Sequence, residues 1–509
     1  MREEQNNKYA VRKIDLEAGK YTVIMHDNDA QALGVREQDR VRVVFGEEYV
    51  IAVVETTQSM VKMGEVGLSA ELHEVLKDVG EVRIYPTSRP ESVEYIRMKM
   101  DGKKLTEYQI RKIVEDIVGR NLTDIELSAY VSAVYMRGMD QDETYHLVKA
   151  MIETGETIDF GDEIIYDFHS IGGVPGNKVT LIVVPIIASM GLTIPKTCSR
   201  AISSACGTAD IFEVLAPVSL SAEEIKRIAL EVGGTIAWGG AVSIAPADDI
   251  IIRAEYPLGI DPPSQLLASI MAKKKGVGAN NLLIDIPMGP ETKVESIEKA
   301  RWYARNLIEL GEKLDMKVSC AITYGGQPIG RAVGPALEVW EALQMLEGKQ
   351  VPRSLYSKAI ELSSMLLEMG GVLDGKRVAE EAIKSGKALE KLREIVEAQG
   401  GSPEFSSESI EFGKYSAEVV AKSDGYVKRI RNRSIIRIAR EAGSPYDKKA
   451  GVLLAKKEGY RVEKGETLLT IYSSNKTKLE NALRVANKIS PVSIEGMILE
   501  KMPSYREIV

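Results

Sequence analysis

The segment Asp167–Lys178, DFHSIGGVPGNK, sets Gly172, Gly173 and Gly176 around a Pro-containing turn, after a His and a Ser. It runs directly into the apolar stretch Val179–Pro195, VTLIVVPIIASMGLTIP. Glycine at this density marks backbone that bends sharply or approaches another group closely. The apolar stretch contains Pro185 and Gly191 and falls short of the ~20 residues that a membrane-spanning helix needs, so it reads as a buried strand and helix. A glycine loop beside a buried segment is where an α/β domain presents ligand loops, at the carboxyl ends of its strands.

Working outward, strands and helices alternate from about residue 162 to 400. The segments are VTLIVVPII, EIKRIALEVG, NNLLIDIPM, VESIEKARWYARNLIELGEKL and MKVSCAITYG, a pattern that predicts a mainly parallel sheet. Upstream, Thr106 with Gln109 and Thr123 with Glu126 read as capping boxes. The spacing Ile110, Ile113, Val114, Ile117 and Leu127, Tyr130, Val131, Val134 is helical. Further upstream, KYTVIMH, DRVRVVF, YVIAVVETT and EVRIYP predict a small barrel or sandwich. The expected organisation is a β-rich domain at 1–88 and a helical domain at 89–160, joined by about 255–276. A larger α/β domain follows at 161–254 and 277–405, with a cleft expected beside the helical domain, and a β-rich α+β domain at 406–509. The fold class is thus multidomain α/β plus α+β.

At 509 residues the chain exceeds what one core supports. Its 66 Lys and Arg are scattered and its formal net charge is −8, which disfavours nucleic acid as a partner. Three cysteines, Cys198, Cys206 and Cys320, form no disulfide framework and point to a reducing cytoplasm. With four histidines in the chain no zinc pattern emerges. The polar start MREEQNNKYAVRK lacks an export signal, and neither a membrane nor a metal is expected.

The glycine loop matches neither a Walker loop nor a dinucleotide fingerprint, since Gly176 is followed by Asn177, Lys178 and Val179. It can expose successive N–H groups beside Ser170 and Lys178 as an anion nest, or be a tight turn with no ligand. A second run, Thr197–Leu215 (TCSRAISSACGTADIFEVL), crowds hydroxyls and an Arg before a helix start, where they bind an anion or merely cap. A third, DPPSQLLASIMAKKKG from Asp261, places Asp261, Ser269 and Lys273 along one edge of a helix. Asp261 there is either a proton-transfer group or an N-cap.

Together HSIGGVPGN, SRAISSACGTAD, WGGAVSIAPADD, IDPPSQLLASIMAKK and QPIGRAVGPALEV resemble the thymidine phosphorylase family of nucleoside phosphorylases. The resemblance is nearer to its AMP phosphorylase branch, whose members carry an extra N-terminal domain. It implies phosphorolysis of the N-glycosidic bond of a nucleoside 5'-monophosphate (AMP, with CMP and UMP), giving free base and ribose 1,5-bisphosphate. Inorganic phosphate is then a co-substrate and no cofactor is needed. The branch's pattern implies substrate or phosphate contacts at Gly173, at Ser199, Arg200, Ala201, Ile202, Ser203 and Ser204, and at Thr208, Ser269 and Lys293. Asp261 matches the family's proton donor, and Lys273 matches a base-contacting Lys of the thymidine branch.

Two departures stand out. Phe168 replaces a Lys before the loop His, and Cys198 replaces a phosphate-contacting Ser, so Arg200 or Lys178 is expected to supply the missing cation. His169 is expected to orient the loop rather than act as a base, because phosphate is already a competent nucleophile. Asp248 and Asp249 read as a turn rather than as metal ligands. The rival readings are a thymidine or pyrimidine nucleoside phosphorylase and a non-catalytic nucleotide-sensing assembly protein. A homodimer is the default assembly in each case.

Overall fold

The protein is described by a computed structural model covering residues 7–77, 79–201 and 204–496. The chain divides into two compact units, Met1–Gly155 with Ala245–Ala272 and Glu156–Ile244 with Lys273–Val509.

The first unit opens with strands β1 (Lys8–Lys13), β2 (Thr22–His26), β3 (Arg40–Phe45), β4 (Glu48–Thr57), β5 (Glu65–Leu68) and β6 (Glu81–Pro86). They form a closed barrel in the order β1-β5-β2-β4-β3-β6. The period of two expected from the sequence is visible in β3, where Val41 and Val43 are fully buried and Arg42 points outward. Four helices follow, Ser92–Met100, Glu107–Val118, Asp124–Arg137 and Gln141–Glu153. Thr106/Gln109 and Thr123/Glu126 form the expected capping boxes, and Asp140/Glu143 forms a third. Glu143 also accepts Lys99 Nζ at 2.8 and 2.9 Å and the Leu105 N–H at 2.8 Å, so this buried carboxylate is both cap and ion-pair partner. Arg40 fastens the barrel to the bundle, donating to Asn121 O at 2.9 Å and pairing with Glu126.

The chain re-enters the helical unit at Ala245, ten residues before the expected 255. Helix Pro246–Leu258, assigned from sequence to the α/β domain, packs on Glu107–Val118 and Asp124–Arg137. Asp248 and Asp249 therefore begin a helix, with Pro246 at its first position, and are not a turn.

In the second unit β7 (Tyr166–Ser170), β10 (Asn281–Met288) and β11 (Lys317–Tyr324) form a parallel sheet in the order β11-β10-β7. Strands β8 (Ile194–Cys198) and β9 (Gly234–Trp238) pair in parallel beside it. The apolar run after the glycine loop is a helix, Thr180–Ser189, and the strand follows it at β8. All of its residues from Thr180 to Ala188 are buried, so no amphipathic period survives to separate strand from helix in the sequence. Each buried Val, Leu or Ile there contributes about 1.5–3 kcal/mol of transfer free energy, making this helix the centre of the α/β core.

The C-terminal module has its own core around helices Asn432–Ala442 and Lys476–Ile489. Its four-stranded sheet incorporates Ala332–Val333 from the α/β domain, paired with Gly451–Leu454. Among the described residues, no helix is long and apolar enough to cross a membrane.

Candidate active site

The glycine loop leaves the carboxyl end of β7 with Gly172, Gly173 and Gly176 all at positive φ (87°, 87° and 76°). Two of these are demanded by close approach. A methyl group at Gly173 would lie 2.9 Å from the Lys293 backbone nitrogen, and one at Gly176 would lie 2.5 Å from Ile329 O. The loop is therefore packed against the segments that follow β10 and β11. Gly173 and Lys293, two of the residues singled out from sequence, meet here.

Ser170 is oriented from both sides: its Oγ donates to Asp285 Oδ2 at 2.8 Å and accepts Asn177 Nδ2 at 2.9 Å. Asp285 is fully buried and also accepts Thr323 Oγ1 at 2.5 Å and Lys358 Nζ at 2.8 Å. Sequence reasoning missed Asp285, because one acid inside the strand NLLIDIPM carries no spacing signal. Its register opposite Ser170 is a tertiary fact.

Behind the loop lies a cluster of like charges. Asp167 accepts Lys274 Nζ at 2.8 Å, with Lys196 Nζ 3.7 Å from the same carboxylate, and both lysines donate to Thr197 O. One buried acid faces two lysines. Burial, and then Lys196, push the Lys274 ammonium down to about 7 despite the attraction of Asp167. His169 is held well below its ordinary value by removal from water, then by Lys274, Lys196, Lys273 and Lys293. It is therefore neutral at pH 7, which suits an orienting role.

A depressed Lys274 means that the unfolded chain binds the extra proton between about pH 7 and the usual lysine value of 10.5, so stability gained from this site rises with pH and is lost as pH falls. Lys274→Met is expected to flatten that slope. Thermal midpoints of both proteins from pH 6.5 to about 9.5 check it, and parallel curves would refute it.

The second loop, after β8, folds back on itself through Gly207, where a methyl group would meet Ser199 O at 2.3 Å. Asp210 staples it, accepting the N–H groups of Ala201 at 2.7 Å and Gly207 at 2.8 Å. Thr208 opens the short helix Thr208–Phe212. Ile202 and Ser203 lie outside the described residues; Ser199, Arg200, Ala201 and Ser204 frame them.

The expectation that Lys178 supplies the missing cation requires correction. Lys178 has no exposed surface and spends its ammonium on Glu341 at 2.7 Å and on Ile329 O and Ala332 O at 3.0 Å. The Arg200 guanidinium grips Glu213 at 2.8 and 2.6 Å, reaches Asp210 at 3.3 Å, and lies 5.0 Å from the Trp238 ring centre. Its bonds to Glu213 hold that carboxyl down to about 2. Both cations anchor loops. The positive charge that acts on His169 comes from Lys274, Lys196, Lys273 and Lys293.

Cys198 and Cys206 are held as protonated thiols. Burial pushes the Cys198 thiol up to about 11 and its Sγ donates to Ala237 O at 3.2 Å, while Cys206 donates to buried Glu338 at 3.0 Å.

Asp261 and Ser269 belong to the first unit. Asp261 is exposed, between the left-handed C-cap Gly259 and helix Pro263–Gly276. Ser269 Oγ donates to buried Asp248 at 2.7 Å, so the "APADD" acid orients this hydroxyl. The helix carries on into the second unit, where Lys273 is half-buried in its last turn. A separate cavity of about 320 Å³ inside the first unit, beside Lys20, Arg120 and Arg253, holds none of the expected site residues.

Residues 93–155 match the glycosyl transferase family helical bundle domain, 162–389 the a/b domain of the same family, and 426–493 the pyrimidine nucleoside phosphorylase C-terminal domain. Among solved structures, anthranilate phosphoribosyltransferase from Thermus thermophilus superposes with a TM-score of 0.51 at 17% identity, covering 60% of this chain and 98% of its own. That likeness establishes a shared core fold. The chain is 52% identical to AMP phosphorylase of Methanothrix thermoacetophila, across 98% of this chain and 99% of the relative. It is 50% identical to AMP phosphorylase 1 of Archaeoglobus fulgidus, across 96% and 97% respectively. The chain belongs to the AMP phosphorylase family, within the pentosyltransferases built on this helical bundle and α/β domain.

Proposed function

We propose that the protein catalyses phosphorolysis of AMP. The observation that carries this reading is full-length identity of about one half to AMP phosphorylases, together with the packing of Gly173 on Lys293 beside the like-charged lysines.

Phosphate oxygen attacks C1', the bond from C1' to the base nitrogen breaks, and its electron pair leaves with the base. The products are adenine and ribose 1,5-bisphosphate. Asp261 gives the departing base a proton, and the new phosphate ester releases an equivalent one to solvent. Because the transition state has positive charge on the ribose and negative charge on both flanking groups, catalysis depends on fixed donors facing each anion. The glycine loop and Lys293 supply one set, and Ser170, its proton given to Asp285, helps to hold that loop in place. The loop Ser199 to Ser204, with Thr208, supplies another, and the second phosphate contributes remote binding energy that orients C1'. Ser269 and Lys273 contact the nucleotide, and His169 orients the loop as a neutral imidazole. CMP and UMP are further substrates in this reading, and the working assembly is a homodimer.

Incubation with AMP, CMP, UMP, adenosine and thymidine, with and without phosphate, tests it through release of free base. Release from AMP is expected only with phosphate present. Release from thymidine but from no monophosphate would replace this reading with a nucleoside phosphorylase, and no release would favour a nucleotide-sensing protein.

A further inference from the structure

The C-terminal module reaches loops at the carboxyl ends of three different strands of the α/β domain. After β8, Arg440 Nε donates to Ser204 O and Ser444 Oγ to Ala205 O, both at 2.9 Å, while Lys448 Nζ pairs with Glu213 at 2.8 Å. After β10, the Arg433 N–H donates to Glu291 Oε2 at 3.0 Å, two residues before Lys293. After β11, Asn432 Nδ2 donates to Gly325 O and Lys457 Nζ to Gly330 O, both at 2.9 Å. The loop after β11 also carries the carbonyls of Ile329 and Ala332 that hold Lys178 behind Gly176.

These contacts are chemically selective. Ser204, Ala205, Gly325 and Gly330 are gripped through main-chain oxygens, which fixes backbone position. The loop after β8 is also held from the α/β side by Cys206 on Glu338 and by Asp210 on the amides of Ala201 and Gly207. It is thus fastened at both faces.

We infer that the C-terminal module is a positioning clamp for the loops after β8, β10 and β11, acting through Arg440, Ser444, Asn432 and Lys457. This rests on the assignment of those loops to substrate made above. A loop displaced by about 1 Å costs roughly 10²-fold in rate or binding, so the module acts on the reaction from outside the site.

The test uses the full chain carrying Arg440→Ala with Ser444→Ala, alongside Arg440→Lys and Lys448→Met in case the double variant fails to fold. Hydrogen exchange of Ser204–Phe212 without substrates, KM and kcat for AMP and phosphate, and the thermal midpoint are measured on each. In the double variant loop exchange is expected to accelerate about tenfold, and KM for an anionic substrate to rise about tenfold with kcat changed less. The thermal midpoint should move by only a few degrees, and Arg440→Lys should recover part of the loss. Unchanged loop exchange overturns the clamp. Faster exchange with unchanged KM upholds the clamp and instead removes the loop after β8 from the substrate site.

Discussion

Asp261→Asn is expected to lower kcat for AMP phosphorolysis by about 10²–10⁴-fold, the usual contribution of a positioned proton donor. The amide keeps the shape and hydrogen bonding of the carboxyl but has no proton to give. Asp261 precedes Pro262, which restricts it to extended backbone, and follows the left-handed Gly259 that ends helix Pro246–Leu258. The side chain is therefore presented on a constrained joint rather than a slack loop. KM for phosphate should change little, because a residue acting only in the transition state lowers kcat and kcat/KM together. A nucleotide whose base is already cationic, such as an N7-methylated purine monophosphate, needs no proton to depart and should be cleaved by the variant nearly as fast as by the parent. An equal loss on both substrates would assign Asp261 to binding and not to proton transfer.

Much of this arrangement was legible in the sequence because it rests on local chemistry. Capping boxes at Thr106 and Thr123, alternation in β3, and glycines at positive φ follow from near neighbours, and all are present. Three features were not legible, each for a tertiary reason. The helix Thr180–Ser189 is buried all round, so its periodicity is silent. Helix Pro246–Leu258 joins the helical unit because of what it packs against, which its own composition does not encode. The anchoring of Lys178 and Arg200 depends on Glu341, far along the chain, and on Glu213, whose part as a partner no motif marks. A basic residue inside a glycine-rich loop reads as a ligand group in sequence. In the fold such a residue is as readily a strut, since burying its charge requires a carboxylate and carbonyls that saturate its donors. Asp285 and Asp210 show the converse: acids with no motif around them orient the hydroxyl and amides that the motifs advertise.

Gly173→Ala is expected to reduce kcat/KM for AMP by about 10²-fold or more, the scale of a 1 Å misplacement of a catalytic group, and Gly172→Ala is its control. Both glycines have φ of 87°, so each alanine pays a comparable backbone strain of about 1–2 kcal/mol. Their surroundings differ. Nothing lies within 4 Å of a methyl group at Gly172, whereas at Gly173 it would meet the Lys293 backbone nitrogen at 2.9 Å and its Cγ at 3.4 Å. That nitrogen belongs to main chain and cannot swing aside as the tip of a side chain does. Relief requires the segment carrying Lys293 to move away from the glycine loop, separating an ammonium from the site it serves. Gly172→Ala should therefore lower the thermal midpoint while keeping most activity, and Gly173→Ala should lose both. Steady-state kinetics on AMP beside thermal melts of the two variants decide the matter. Matching activity losses would mean that strain alone, and not the approach of Lys293, makes glycine necessary at position 173.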